Sequence, residues 1–297
     1  MVEITALNIY PVKSLHGIAL DTATLGTRGF RFDRQWLVVD HRNFFVTQRA
    51  LAGMATITPH LTDEALILRH PDQPDLVIPL HKTDGPRVRV KIWKDWCDAN
   101  EEGNEASTWL TSVLGQFRGH DLRLVRFASD GSRPVEPDFL AGDKAETAFA
   151  DGYPYLVTVE ESLADLNEHL RKCDSPAVPM NRFRANIVVR GLEPLAENRV
   201  DELTHAKLTV RLALRKPCQR CRITTVDQET GVASSPPQPG PDSLPEPLRT
   251  LVAQNPFPGK PGGYFGQNAI LLDGENQQLT VGDELVASYR PPAIPRR

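Results

Sequence analysis

Cysteine is scarce, with four residues (Cys97, Cys173, Cys218 and Cys221) in a chain of 297. That is too few for a disulfide framework and fits a reducing, cytoplasmic setting. Basic charge shows no excess either, with 34 lysines and arginines against 38 acids. A near-balanced chain has no global positive field to hold a phosphate backbone. No nucleic-acid partner is therefore expected, and any anion site must be local. Long apolar runs are missing, and nothing approaches the roughly 18 consecutive apolar residues of a membrane span. The opening Met1-Val2-Glu3-Ile4-Thr5-Ala6-Leu7 alternates and carries an acid, so neither a signal peptide nor a membrane partner is expected. Common catalytic signatures are also lacking: no HExxH, no GxxxxGK(S/T), and no GxGxxG after a strand-like run. The eight histidines lie far apart. Alone, His16, His60 or His205 reads as a surface or packing residue.

Proline is abundant, with 25 residues where usual composition gives about 5%. Such a content cuts the chain into short segments and excludes long helical bundles. Most segments read as strands: Ile4 to Tyr10, Gln35 to Val39, Phe44 to Thr47, Ala65 to Leu68 and Leu76 to Leu80 are brief apolar or alternating runs bounded by turn residues. In Arg87 to Trp93 the side chains Val88, Val90 and Ile92 alternate with Arg87, Arg89 and Lys91, the period of a half-solvated antiparallel strand. Asn104 to Leu114 changes to helical period, with Asn104 as cap and Gly115 as terminator. After a strand over Leu122 to Phe127, the polar, proline-broken stretch Ala128 to Pro137 is the expected joint between domains, 1–127 and 128–290. The second half continues with strands over Tyr155 to Val159, Arg182 to Arg190, Lys207 to Arg215, Phe265 to Leu272 and Gln278 to Ala287, and one helix over Ser162 to Lys172. Ala233 to Pro247 holds six prolines in fifteen residues and is expected as a surface loop. The fold class is therefore mainly β with a few short helices (α+β).

The informative segment is Lys216-Pro217-Cys218-Gln219-Arg220-Cys221-Arg222-Ile223-Thr224-Thr225-Val226-Asp227. Its CxxC admits several readings. Half a zinc site needs two more ligands at suitable spacing, and the chain offers only isolated cysteines and histidines. A dithiol redox pair belongs at a helix N-terminus, whereas the β-branched sequel Ile223-Thr224-Thr225-Val226 predicts a strand. Two small residues packed in a barrel is the bland alternative. The remaining reading is one thiolate bound to a soft metal, with Arg215, Lys216, Arg220 and Arg222 supplying positive charge that favours a thiolate and attracts an anionic cofactor.

Five ordered motifs carry a resemblance. They are Tyr10-Pro11-Val12-Lys13-Ser14, Asp33-Arg34-Gln35-Trp36 through Asp40, Phe183-Arg184-Ala185-Asn186 through Val189, Cys218-Gln219-Arg220-Cys221 with Thr224-Thr225-Val226-Asp227, and Phe265-Gly266-Gln267. Together they resemble the MOSC family, and more narrowly its YcbX-like proteins and mitochondrial amidoxime-reducing components.

The resemblance implies an N-terminal MOSC β-barrel domain followed by a MOSC β-barrel domain, with a molybdenum cofactor (Mo-molybdopterin) between them. It makes Cys221 the metal ligand and catalytic position, Cys218 not being used as a ligand in the family. It nominates Lys13, Ser14, Arg34, Arg184 and Asn186 as cofactor contacts, with Arg49 and Arg220 beside them. Arg and Lys suit a phosphate, and Asn suits a pterin edge. Outside its motif, Arg34 or Arg184 would read as a weak surface ion-pair residue. Gln219 stands where the family often has serine, which removes a hydroxyl. The implied activity is reduction of small N-hydroxylated substrates (hydroxylaminopurines, hydroxylamines, amidoximes). No cysteine follows Cys221 to build a 2Fe–2S cluster, so electrons are expected from a separate flavin or iron–sulfur protein. The alternative is a sulfur carrier or cofactor-maturation protein with a persulfide on Cys221.

Overall fold

The computed structural model describes residues 1–81, 85–236 and 243–290. Seven strands form a barrel: β1 (Val2–Ile9), β2 (Tyr155–Val159), β3 (Ile187–Arg190), β4 (Val200–His205), β5 (Arg211–Gln219), β6 (Tyr264–Asp273) and β7 (Glu284–Tyr289). Their order is β3-β2-β6-β5-β4-β7-β1, and β1 pairs back onto β3 to close the ring. Every ladder is antiparallel except β2 with β3. A parallel pair needs a crossover, and the helix Glu160–Lys172 supplies it. Alternating side chains of these strands, among them Ile4, Val157, Val189, Leu203, Leu212 and Leu285, fill the barrel.

The middle of the first half makes a second unit. A four-stranded sheet runs Trp36–Val39, Arg123–Phe127, Asp95–Glu101, Arg87–Ile92, and a three-stranded meander runs Thr58–Leu61, Ala65–His70, Gln73–Pro79. The helix Asn104–Leu114 buries Ala106, Trp109 and Leu110 against this unit. The chain is thus mainly β with three short α-helices among the described residues, as its composition predicts.

The division expected near residue 127 falls in the chain between β1 and its ladder partners β3 and β7. Several elements differ from expectation. Gly103, at φ 99°, precedes the first helix, and Asn104 is its first residue rather than its cap. Arg182 to Phe183 belong to a 3-10 turn, Met180–Phe183, so β3 starts only at Ile187. The last expected strand is two, Gln278–Thr280 and β7, the first pairing with Thr22–Thr24. Phe44 and Phe45 form isolated bridges rather than a strand. Of the proline-rich segment, residues 237–242 lie outside the described residues.

Candidate active site

The residues nominated by sequence meet where β1 leaves the barrel for the second unit. Past Ile9 the chain docks on the other sheet, with the Lys13 N–H donating to the Trp36 carbonyl at 2.9 Å. Three nominated positions have left-handed backbone: Ser14 at φ 68°, Arg34 at φ 48° and Arg184 at φ 55°. A non-glycine residue there costs about 1–3 kcal/mol and persists only where its surroundings dictate it.

The guanidinium groups of Arg34 and Arg184 each lie 4.3 Å from the centroid of the buried Tyr10 ring. Arg34 Nη1 donates to both carboxylate oxygens of Asp33 at 2.7 and 2.6 Å, and Nη2 donates to the Arg184 carbonyl at 3.1 Å. Asp33 is 1% exposed, so this is an interior ion pair rather than a surface one. Lys13 Nζ donates to the Phe149 carbonyl at 2.8 Å and to Asp151 at 2.6 Å. Burial lowers the Lys13 ammonium to about 8; Asp151 opposes that shift, and Arg133 and Arg34 add to it. The Lys13 ammonium, with Arg49, holds the Asp151 carboxyl below the usual carboxylate range.

Asn186 belongs to the same cluster and is bonded to both neighbouring strands. Its amide donates to the Asn8 carbonyl of β1 at 3.1 Å and accepts the Leu156 N–H of β2 at 3.2 Å. It ties two strands together, and its amide keeps hydrogen-bonding capacity beyond these two bonds. Ser14 joins through its carbonyl, which accepts from Gln48 Nε2 at 2.8 Å. Gln48 and Gln228 bond reciprocally at 3.0 Å, and Arg184 Nη1 donates to Gln228 Oε1 at 3.1 Å.

The segment after Cys221 is not the strand that its β-branched residues predict. Cys218 is in β5, and Cys221 lies outside any strand, just ahead of the 3-10 turn Arg222–Thr225. The β-branched run turns because its hydroxyls bond back to the chain: Thr224 Oγ1 donates to the Cys221 carbonyl at 2.9 Å and Thr225 Oγ1 to the Arg222 carbonyl at 2.7 Å. Pro217 is accommodated by register shifts along β5. Arg220 Nη1 lies 2.8 Å from Cys218 Sγ, and Arg49 Nη1 lies 3.7 Å from Cys221 Sγ. Two of the four expected cations are occupied elsewhere. Arg215 pairs with Asp143 and Asp201, and Lys216 lies over Phe139.

Among the described residues no three His, Cys, Asp or Glu side chains converge as metal ligands. A metal beside Cys221 would take its other ligands from a bound group. The surrounding donors fit an anionic one: Arg182 Nε and Nη1, Arg184 Nη2 and Arg220 Nε are buried without a hydrogen-bond partner among the described residues. All belong to, or bond to, the turn around Phe183, since Arg220 Nη2 donates to the Phe183 carbonyl at 2.8 Å. Buried orphan donors cost about 1–3 kcal/mol each, which an anion would recover. Phe183 stacks on Phe265 at 3.9 Å, and Gly266 must be glycine, because a Cβ at its φ of 76° would come within 2.7 Å of the Val157 carbonyl. A cleft of about 470 Å³, lined by Asn8, Tyr10, Met180, Asn181 and Ala185 among others, adjoins the Tyr10 side of the cluster but reaches neither cysteine.

Residues 1–117 match the MOSC N-terminal beta barrel domain, and residues 144–286 match the MOSC domain. The chain belongs to the MOSC family. It is 32% identical over 255 residues to mitochondrial amidoxime reducing component 2 of Bos taurus, covering 84% of this chain and 70% of that one. Human mitochondrial amidoxime-reducing component 1 is 32% identical over 256 residues, with the same coverage of 84% and 70%. Molybdenum cofactor sulfurase of Drosophila persimilis is 27% identical over 306 residues, which is 96% of this chain and 35% of that one. These likenesses support a molybdenum-related function for this MOSC protein.

Sequence reasoning missed Asp151, Gln48, Gln228 and Arg182 as members of the site. Arg182 is adjacent to a nominated motif and buried, with Nη2 donating to Asp227 at 2.9 Å. Gln48 and Gln228 have no local signal, being 180 residues apart.

Proposed function

We propose that this MOSC protein is a molybdenum-cofactor-dependent oxidoreductase that reduces N-hydroxylated compounds to amines or amidines. Its electrons come from a separate flavin or iron–sulfur protein, and its setting is the cytoplasm. The observation that carries the reading is a half-buried thiol, Cys221, beside buried guanidinium donors that have no hydrogen-bond partner among the described residues. When bound, the cofactor supplies the two-electron chemistry by which an N–OH group, two electrons and two protons become N–H and water. The chain supplies the rest. Cys221 Sγ offers a metal ligand, with the Arg49 guanidinium 3.7 Å away to hold its negative charge. Arg182, Arg184 and Arg220 have buried, unpartnered N–H groups that would hold the cofactor's anionic part. Arg34 and Lys13, engaged by Asp33 and Asp151, hold the frame on which those groups are aimed. Asn186 fixes β1 against β2 behind them.

The test is metal and pterin analysis of the purified protein beside a dye-linked assay with 6-hydroxylaminopurine and a reduced viologen. Stoichiometric molybdenum with turnover is expected, and NADH alone should drive none. Labile sulfane sulfur on Cys221 without turnover would select the second reading, a persulfide carrier. That reading is favoured by the accessibility of this thiol and by the likeness to the sulfurase.

A further inference from the structure

Trp93 has no part in the chemistry described so far, yet its placement is costly and directed. It closes the turn between the strands Arg87–Ile92 and Asp95–Glu101 with left-handed backbone, φ 53°. For a bulky aromatic residue that conformation is an outlier, of the kind that accumulates at ligand sites. Its indole is 47% exposed although an interior lies beside it. The Arg49 guanidinium lies 4.4 Å from the indole centroid, and Phe45 meets the ring edge-on at 5.0 Å. The indole also lies close enough to the carboxylate of Asp151, the partner of Lys13, to help hold it ionised. Because Arg49 Nη1 is 3.7 Å from Cys221 Sγ, one guanidinium separates the indole from the sulfur. The turn therefore presents an exposed, fixed aromatic plane from the second unit to the thiol of the barrel unit.

Three residues on, Trp96 is equally exposed at 46%, yet it faces Phe44, Lys91 and Arg89 rather than Arg49. The pair provides an internal control.

We infer that Trp93 is the platform on which a planar, aromatic N-hydroxylated substrate stacks, taking the place that the flat Arg49 guanidinium holds over the ring and so coming beside Cys221. Flat rings suit this wall because an indole face stacks on any π-system without needing particular hydrogen-bond partners. A small substrate such as hydroxylamine has no plane to stack and gains nothing from it. The inference rests on the N-reductive reading for its substrate, though not for the binding surface itself.

The experiment uses the purified holoprotein and its Trp93→Ala, Trp93→Phe and Trp96→Ala variants. Binding of 6-hydroxylaminopurine is measured by equilibrium dialysis without reductant, and KM and kcat are measured with reduced viologen for that compound and for hydroxylamine. Alanine and phenylalanine both lose the indole N–H, so the difference between them reports the ring. Trp93→Ala should weaken binding and raise KM for the purine about tenfold, in line with the stacking of one base. Trp93→Phe should stay close to wild type, as should Trp96→Ala, and hydroxylamine should be unaffected throughout. Equal purine binding by wild type and Trp93→Ala overturns the inference. So does equal loss for both substrates in the alanine and phenylalanine variants, which would make Trp93 a structural tie to Asp151. If the wild type turns over neither compound but the dialysis pattern holds, the platform stands and the N-reductive reading fails.

Discussion

Cys218 and Cys221 are three residues apart and differ as Arg34 and Arg184 differ. Cys218 is held in a ladder strand with a guanidinium at 2.8 Å, and Arg34 spends its Nη groups on Asp33 and the Arg184 carbonyl. Cys221 stands outside the strands, and Arg184 keeps Nη2 unpartnered. In each pair one member serves the protein and the other retains bonding capacity for something outside it. Residue type and local charge do not separate the two roles, whereas hydrogen-bond accounting does.

The sharpest way to break this distinction is at the thiols. Cys221→Ser should drop dye-linked N-reduction to background while most of the pterin is retained, and Cys218→Ser should keep a substantial part of both. The reverse pattern would exchange their roles, and equal loss would restore a two-thiol site. The arginines come next. Arg34→Ala leaves the buried Asp33 carboxylate uncompensated, which should cost about 3–5 kcal/mol in a denaturant titration. Arg184→Ala, whose side-chain acceptor is the neutral Gln228, should cost less stability and more cofactor. Asn186→Ala should cost about 1–3 kcal/mol through the Asn8 carbonyl and Leu156 N–H it orphans, with near-normal pterin content in the folded fraction. Normal stability with lost pterin would show that Asn186 faces the ligand after all.

The smallest effect is a pH dependence. Lys13 has its ammonium lowered to about 8 by burial, so it is charged below that pH and neutral above it. Cofactor retention on dialysis should therefore weaken a few-fold as pH rises from 7 to 9, about what the loss of one nearby charge is worth at a partly screened site. Lys13→Gln should flatten the curve, and an unchanged slope in that variant would remove Lys13 from the electrostatics of the site.

The sequence made the strands legible wherever one face is wet. Arg87 to Ile92 alternates because the sheet covers Val90 and Ile92 and leaves Arg87 and Arg89 in solvent. It made the basic cluster legible too, through ordered motifs at Lys13, Arg34 and Arg184. The setting of Cys221 was hidden because Thr224 and Thr225 favour a strand by type yet make a turn through their hydroxyls, a local alternative that tertiary packing selects. Trp93 and Asp151 were hidden for another reason. Each sits in a connection whose partner is distant in the chain, and nothing in either local pattern marks it.

The closure of the barrel by β1 has a consequence for how the protein is made. Val2 pairs with Leu285 and Glu3 with Arg190, so this strand leaves the ribosome long before the neighbours it needs. At 5–20 residues per second its edge waits roughly 15–55 s for β7 to emerge. Over that interval it is a bare template for any other nascent chain. Substitutions that leave the finished molecule untouched but make Val2–Ile9 stickier should therefore lower its yield in cells without lowering the activity of what is recovered.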